Sequence, residues 1–188
     1  MSLRKVLEEI RKNSTSERDK GDKFERLMLA FFQNDPTYKA QFRNVWLWKD
    51  WKGNQGRPDT GIDLVAENIR GSGFTAIQCK FYGPNVTLDK KDIDSFFNES
   101  GKAPFTHRIV VSTTNQWSNH ALNSLINQDK PTQRIGIPLL EESSIDWNAA
   151  SNGRFSDLKL KEKKVRKPHQ QKAISAVLEG FKKHDRGK

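Results

Sequence analysis

Apolar positions along the chain follow two different periods, and the switch between them divides the sequence into elements. Leu3, Val6, Leu7 and Ile10 recur at helical spacing in LRKVLEEIRK. After the polar break NSTSERDKGD, a second run sets Phe24, Leu27, Met28, Phe31 and Phe32 at i, i+3, i+4, i+7 and i+8, a stripe wide enough to bury against a sheet. Asn34-Asp35-Pro36 is expected to end that helix. Short segments rich in β-branched and aromatic residues then predict strands: NVWLWKDW (44–51), GIDLVAE (61–67), FTAIQCKFY (74–82) and HRIVVST (107–113). DKKDIDSFFNES, between the third and fourth, and WSNHALNSLINQ, after the fourth, read as helices. RIGIPLLEE predicts a last strand, placed at an edge because Pro138 cannot donate to a ladder. This order describes an α/β protein with a mixed β-sheet flanked by helices, rather than a doubly wound one. From Leu158 the composition shifts to LKLKEKKVRKP, so one domain is expected over residues 1–157, with a charged linker and the start of something else over 158–188.

Strand alternation gives the polar residues a meaning. Asp63 and Val65 are expected on one face of their strand and Ile62 and Leu64 on the other; in the next strand Gln78 and Lys80 share a face opposite Ile77, Cys79 and Phe81. The connector NIRGSG carries Gly71 and Gly73, and a hairpin folded about Arg70 and Gly71 sets Asp63 across from Gln78. A carboxylate, an amide and an ammonium then converge. Asp63 taken alone reads as a turn aspartate, and Gln-x-Lys alone as the solvated face of an edge strand. Together they are the parts that phosphodiester cleavage needs: hard oxygen ligands for a divalent cation, with the main-chain carbonyl of Cys79 as a further ligand, and a cation to position or deprotonate a water.

Charge adds a partner. Lys and Arg number 33 against 23 Asp and Glu, a formal +10, which is the footprint of a polyanion such as nucleic acid. Lys90, Lys91, Lys102 and Arg108 are candidates for phosphate contacts. Cys79 is the single cysteine, which excludes an intramolecular disulfide framework and a cysteine-cluster zinc site and fits a reducing cytoplasm. No apolar run reaches membrane-spanning length and no signal-peptide core follows Met1, so no membrane partner is expected. Trp46, Trp48 and Trp51 read mainly as core, and His107, His120, His169 and His184 show no metal-ligand spacing.

GIDLVAEN followed by AIQCKFY resembles the Mrr-like branch of the PD-(D/E)XK nuclease superfamily, in which Gln replaces the commoner Glu; the match spans roughly Phe24 to Thr113. The resemblance implies a restriction-endonuclease-like fold, Mg2+ as cofactor and double-stranded DNA as substrate. Asp63 becomes the metal-binding aspartate, Gln78 the ligand at the acidic position and Lys80 the motif lysine. Glu25, in GDKFERL, matches the glutamate that the family often takes from the preceding helix, although it is also what a solvated helix glutamate looks like. Asp59, in RPDTGID, is a second candidate carboxylate, for metal or for the turn that Pro58 and Gly61 announce. A neutral Gln78 weakens resting metal affinity, so a bound phosphate is expected to complete the coordination. Farther on, RKPHQQKAISAVLEGF resembles the opening of a superfamily 2 helicase or translocase, with Gln170 at the adenine-reading glutamine, and no Walker motif follows. A nuclease so joined resembles the N-terminal nuclease domain of Type ISP restriction-modification enzymes, which implies covalently joined translocase, methyltransferase and target-recognition domains. It further implies one nick per domain and a second enzyme copy for a double-strand break. The same residues leave two alternatives: a nuclease-fold DNA clamp without chemistry, and a structure-selective junction resolvase.

Overall fold

The computed structural model describes residues 2–58, 61–162 and 167–183. Its centre is a five-stranded sheet in sequential order, formed by β1 (Phe42–Leu47), β2 (Leu64–Asn68), β3 (Phe74–Lys80), β4 (Phe105–Ser112) and β5 (Thr132–Ile135). The first three strands form an antiparallel meander and the last two continue parallel to β3. The sheet is therefore mixed, and the parallel steps require crossover segments that can carry helices.

One face is covered by α1 (Leu3–Lys12) and α2 (Glu17–Asn34). The apolar stripe of α2 is fully buried, with Phe24, Leu27, Met28 and Phe31 at 0% exposure, and each such side chain contributes about 1.5–3 kcal/mol. Ser16 caps α2 by accepting from the Asp19 amide at 3.1 Å. Asp35 stops it as expected, and its side chain caps the short helix α3 (Pro36–Lys39). The opposite face is covered by α4 (Asp94–Ser100), preceded by a 3-10 turn at Lys90–Asp92, and by α5 (Asn119–Asn123), much shorter than its sequence run. α6 (Ile137–Glu142) and a small β6–β7 ladder (Ile145–Asp146 with Lys159–Leu160) close the α1–α2 side.

Three expectations need correction. The strand predicted over 44–51 ends at Leu47, because the chain turns inward so that Trp48 and Trp51 join the core under α4. The edge strand is β5, whereas Pro138 lies in the first turn of α6, where a missing N–H costs nothing. The packed fold also runs past residue 157: Leu158 is buried and Lys159–Leu160 pair with β6. Beyond it, α7 (Pro168–Lys183) buries no residue and exposes Ile174, Val177, Leu178 and Phe181 along one face. Among the described residues no helix is long and apolar enough to cross a membrane.

Candidate active site

Leu64 pairs with Ile77 across the β2–β3 hairpin, and the preceding residue, Asp63, therefore stands at the register of Gln78. The turn is the one expected, with Gly71 at φ 77° and Gly73 at φ 105°. The alternation before it is not. Val65 and Ile62 both enter the core under α4, while Leu64 enters the core under α2, so the chain changes face between Ile62 and Leu64. Asp63 sits at that break. Its amide donates to Ile77 O at 2.9 Å and its carbonyl accepts from Trp48 N at 2.8 Å. Its carboxylate Oδ2 accepts from the Cys79 amide at 2.5 Å, where a regular ladder would use a main-chain carbonyl. The irregularity thus aims a carboxylate at the end of β3.

Gly61 explains how the chain reaches this position. It has φ 95°, and a Cβ there would lie 2.7 Å from Ser95 Oγ and 3.2 Å from Phe96 N, so only glycine lets the segment pass this close to α4.

Asp63, Gln78, Cys79 and Lys80 line one open cavity of about 600 Å³ with Glu25 of α2. Gln78 is 1% exposed, and its Oε1 has no hydrogen-bond partner among the described residues. A buried acceptor left so costs about 1–3 kcal/mol unless something donates to it or coordinates it. Lys80 extends the same face, half-buried, and makes no ion pair among the described residues. The Cys79 thiol is pushed well above its ordinary pKa, chiefly by burial and then by the negative charge of Asp63 and Glu25. Both carboxylates therefore bear on the end of β3 from different elements. Asp59 lies outside the described residues.

Ser95, Asn98 and Glu99 of α4 complete the cavity and were not legible as site residues. Their i, i+3, i+4 spacing, which gathers three polar side chains on one helix face, is the signal that could have found them. The cations chosen from sequence divide. Lys90 pairs with Asp94 at 2.6 Å and Lys102 pairs with Glu99; Lys91 is exposed. Arg108 is a correction: it is buried, donates to Ser100 Oγ, Gln128 Oε1 and Phe97 O, and lies over the Phe97 ring, so its guanidinium is used within the fold.

Among the described residues no three His, Cys, Asp or Glu side chains converge closely enough to hold a metal ion. The oxygen donors of the cavity are instead three carboxylates, Glu25, Asp63 and Glu99, the last paired with Lys102, together with the amides of Gln78 and Asn98 and the Ser95 hydroxyl, a set suited to a hard cation.

Residues 33–156 match a restriction endonuclease family whose catalytic domain is of Mrr type. In structure the chain is similar to the ATP-dependent Type ISP restriction-modification enzyme LlaBIII bound to DNA, with TM-score 0.80 and 32% identity. That likeness covers 99% of this chain and 11% of the other, so the chain spans about a ninth of that enzyme. Weaker likenesses reach the DNA modification-dependent restriction endonuclease AspBHI (TM-score 0.49, 17% identity, 96% of this chain and 39% of that one). The MspJI restriction endonuclease in complex with a 27-mer oligonucleotide gives TM-score 0.47 and 18% identity over 73% of this chain and 30% of that one. No curated protein matches the sequence significantly.

Proposed function

The chain belongs to the restriction endonuclease family, and from that premise we propose that it is a Mg2+-dependent endonuclease module that hydrolyses DNA backbone phosphodiesters at Asp63, Gln78 and Lys80. The observation that carries the reading is the orphaned, buried Oε1 of Gln78 in a cavity shared with Asp63 and Glu25. A buried amide oxygen in a cavity lined by carboxylates suits a hard divalent cation.

Asp63, Gln78 Oε1 and the Cys79 carbonyl would hold the ion. Bound there, magnesium neutralises charge on the phosphoryl oxygens and acidifies a water. The rest belongs to the chain. Lys80, free of any ion pair among the described residues, positions the attacking water or takes its proton. Glu25, reaching the same cavity from α2, orients water or a second ion. Asp63 is itself held by the Cys79 amide, so the carboxylate is preorganised before substrate arrives.

Lacking a second site among its described residues, one domain nicks one strand, and a double-strand break takes a second copy. The proposal extends to the whole enzyme: α7, which lies past the packed fold, leads into an ATP-driven translocase, with methyltransferase and target-recognition domains beyond it. The likeness to LlaBIII over 11% of that chain supports this. Cutting is then nonspecific in sequence, the target being read elsewhere in the polypeptide, in a bacterial cytoplasm.

A second reading, a DNA clamp of the same fold without chemistry, draws support from the neutral Gln78 and the lack of a three-ligand acidic cluster among the described residues. Supercoiled plasmid with magnesium separates the two. A nuclease converts it to open circles, and Lys80→Ala and Asp63→Ala abolish conversion while the Lys80→Ala protein still binds. A clamp binds and never nicks, whichever residue is present.

A further inference from the structure

Some cations of this chain are engaged with carboxylates and others are not. Among the described residues, ion pairs tie Arg4, Lys20, Lys23, Arg43, Lys90 and Lys102 to neighbouring carboxylates. Arg18, Arg26, Lys49 and Arg57 have no such pairing there, are exposed, and line a single groove of about 780 Å³ between the first half of α2 and the turn that follows β1. At one wall the groove meets Glu25 and Asp63, the two carboxylates it shares with the candidate site. With Asp22, its described lining residues carry three carboxylates against four cations, and two of those carboxylates stand at the wall shared with the candidate site.

Two further features suit a groove for an extended polyanion. The turn carrying Arg57 is hydrogen-bonded within itself: Asn54 is buried, donates from Nδ2 to Trp48 O at 2.8 Å and accepts at Oδ1 from Gly56 N at 2.8 Å. Arg57 itself donates from Nε to Asn54 O at 3.1 Å and lies over the Trp48 ring, 5.8 Å from its centroid. These contacts favour one placement of the side chain, which lowers the ordering cost of binding. On the opposite wall, Gly21 occupies the interior of α2, where glycine is the poorest choice short of proline. Packing does not demand it, since a Cβ there would meet nothing nearer than Glu25 Oε1 at 4.0 Å. The missing side chain leaves the groove wall open beside Glu25.

We infer that this groove carries the backbone of the DNA strand to be cut, its phosphates held by Arg18, Arg26, Lys49 and Arg57, and delivers it to Asp63 and Gln78. The inference rests on the nuclease reading and deepens it, assigning the substrate path to α2 and the 52–58 turn rather than to the Lys90–Lys102 side. These residues position substrate; none of them touches the reacting atoms.

The test is binding of a fluorescein-labelled 30-base-pair duplex by anisotropy between 50 and 200 mM salt without divalent metal, each variant also being checked for its unfolding midpoint. Each phosphate contact contributes about 0.9 to the slope of log K against log salt. Replacing all four cations by Ala is expected to reduce the slope by about 3–4 and to weaken binding about a hundredfold or more at 100 mM salt, equally for unrelated sequences. Lysine at the three arginine positions restores the slope. Lys90→Ala with Lys91→Ala leaves it unchanged. Gly21→Leu changes no charge and does not lower the midpoint, yet weakens binding roughly tenfold by filling the wall. An unchanged slope in the fourfold variant, an equal loss in the Lys90/Lys91 variant, or no duplex binding by the unaltered chain overturns the groove. The nuclease reading is judged separately, by whether Lys80→Ala abolishes plasmid nicking while keeping the unaltered salt slope.

Discussion

Replacing Gln78 by Glu tests the environment of the orphaned amide. The side chain is 1% exposed and its Oε1 has no partner among the described residues. An ionised carboxylate there loses nearly all its hydration and faces Asp63 across the hairpin, and both effects favour the neutral acid. A rise of about 2–3 units above the unfolded value near 4.3 is expected, at roughly 1.4 kcal/mol per unit. Because the folded value is raised, there is no penalty below pH 4.3, where both states are protonated. The loss of stability grows as pH rises toward the folded value and then levels off at about 3–4 kcal/mol by pH 8. For a chain of this size that lowers the unfolding midpoint by roughly 10 °C at pH 8 and little at pH 4.5. Magnesium should reverse most of the loss, since a carboxylate is a stronger ligand than the amide it replaces, whereas the unaltered protein gains only about 1.4 kcal/mol at tenfold excess over its dissociation constant. Thermal unfolding followed by circular dichroism across pH 4.5–8, with and without magnesium, measures all of this. A Gln78→Glu protein whose stability matches the parent at every pH, or whose loss magnesium does not touch, would refute the reasoning.

Other outcomes follow from the same geometry. Gln78→Leu removes the unsatisfied acceptor, so the metal-free protein should gain about 1–2 kcal/mol in chemical denaturation while plasmid nicking disappears. Arg108→Ala should cost about 2–4 kcal/mol by stripping Ser100, Gln128 and the Phe97 carbonyl of a buried donor, yet leave duplex affinity unchanged wherever the protein is folded. The Cys79 thiol, its pKa raised by burial and by Asp63 and Glu25, should react with an aromatic disulfide reagent at pH 8 about a hundredfold more slowly than in the unfolded chain. Fast native labelling would mean that the end of β3 is open rather than packed.

The helices and strands were legible where a period was long or a turn was chemically marked. The α2 stripe and the Gly71–Gly73 hairpin were of that kind, and they sufficed to bring Asp63, Gln78 and Lys80 into one cavity. Failures came where tertiary packing overrode a local preference. Trp48 and Trp51 are core residues as expected but lie past the end of β1 rather than in a strand, and Pro138 reads as an edge-strand residue but starts a helix. The face change between Ile62 and Leu64 was invisible because period 2 carries no sign of an irregularity, although that irregularity is what turns Asp63 toward Cys79. Charge was the least legible feature. Lys90 and Arg108 looked available in sequence, but one is ion-paired and the other buried, whereas Arg18, Arg26, Lys49 and Arg57 are scattered in sequence and meet only in the folded groove.

The proposed chemistry requires Asp63 and Gln78 to share one divalent cation. Crystals of the Lys80→Ala protein with a DNA duplex and manganese, examined by anomalous scattering, test it directly. A manganese peak about 2.2 Å from both the Asp63 carboxylate and Gln78 Oε1 is expected, with a DNA phosphate completing the shell. A peak elsewhere, or none at saturating manganese, would contradict it.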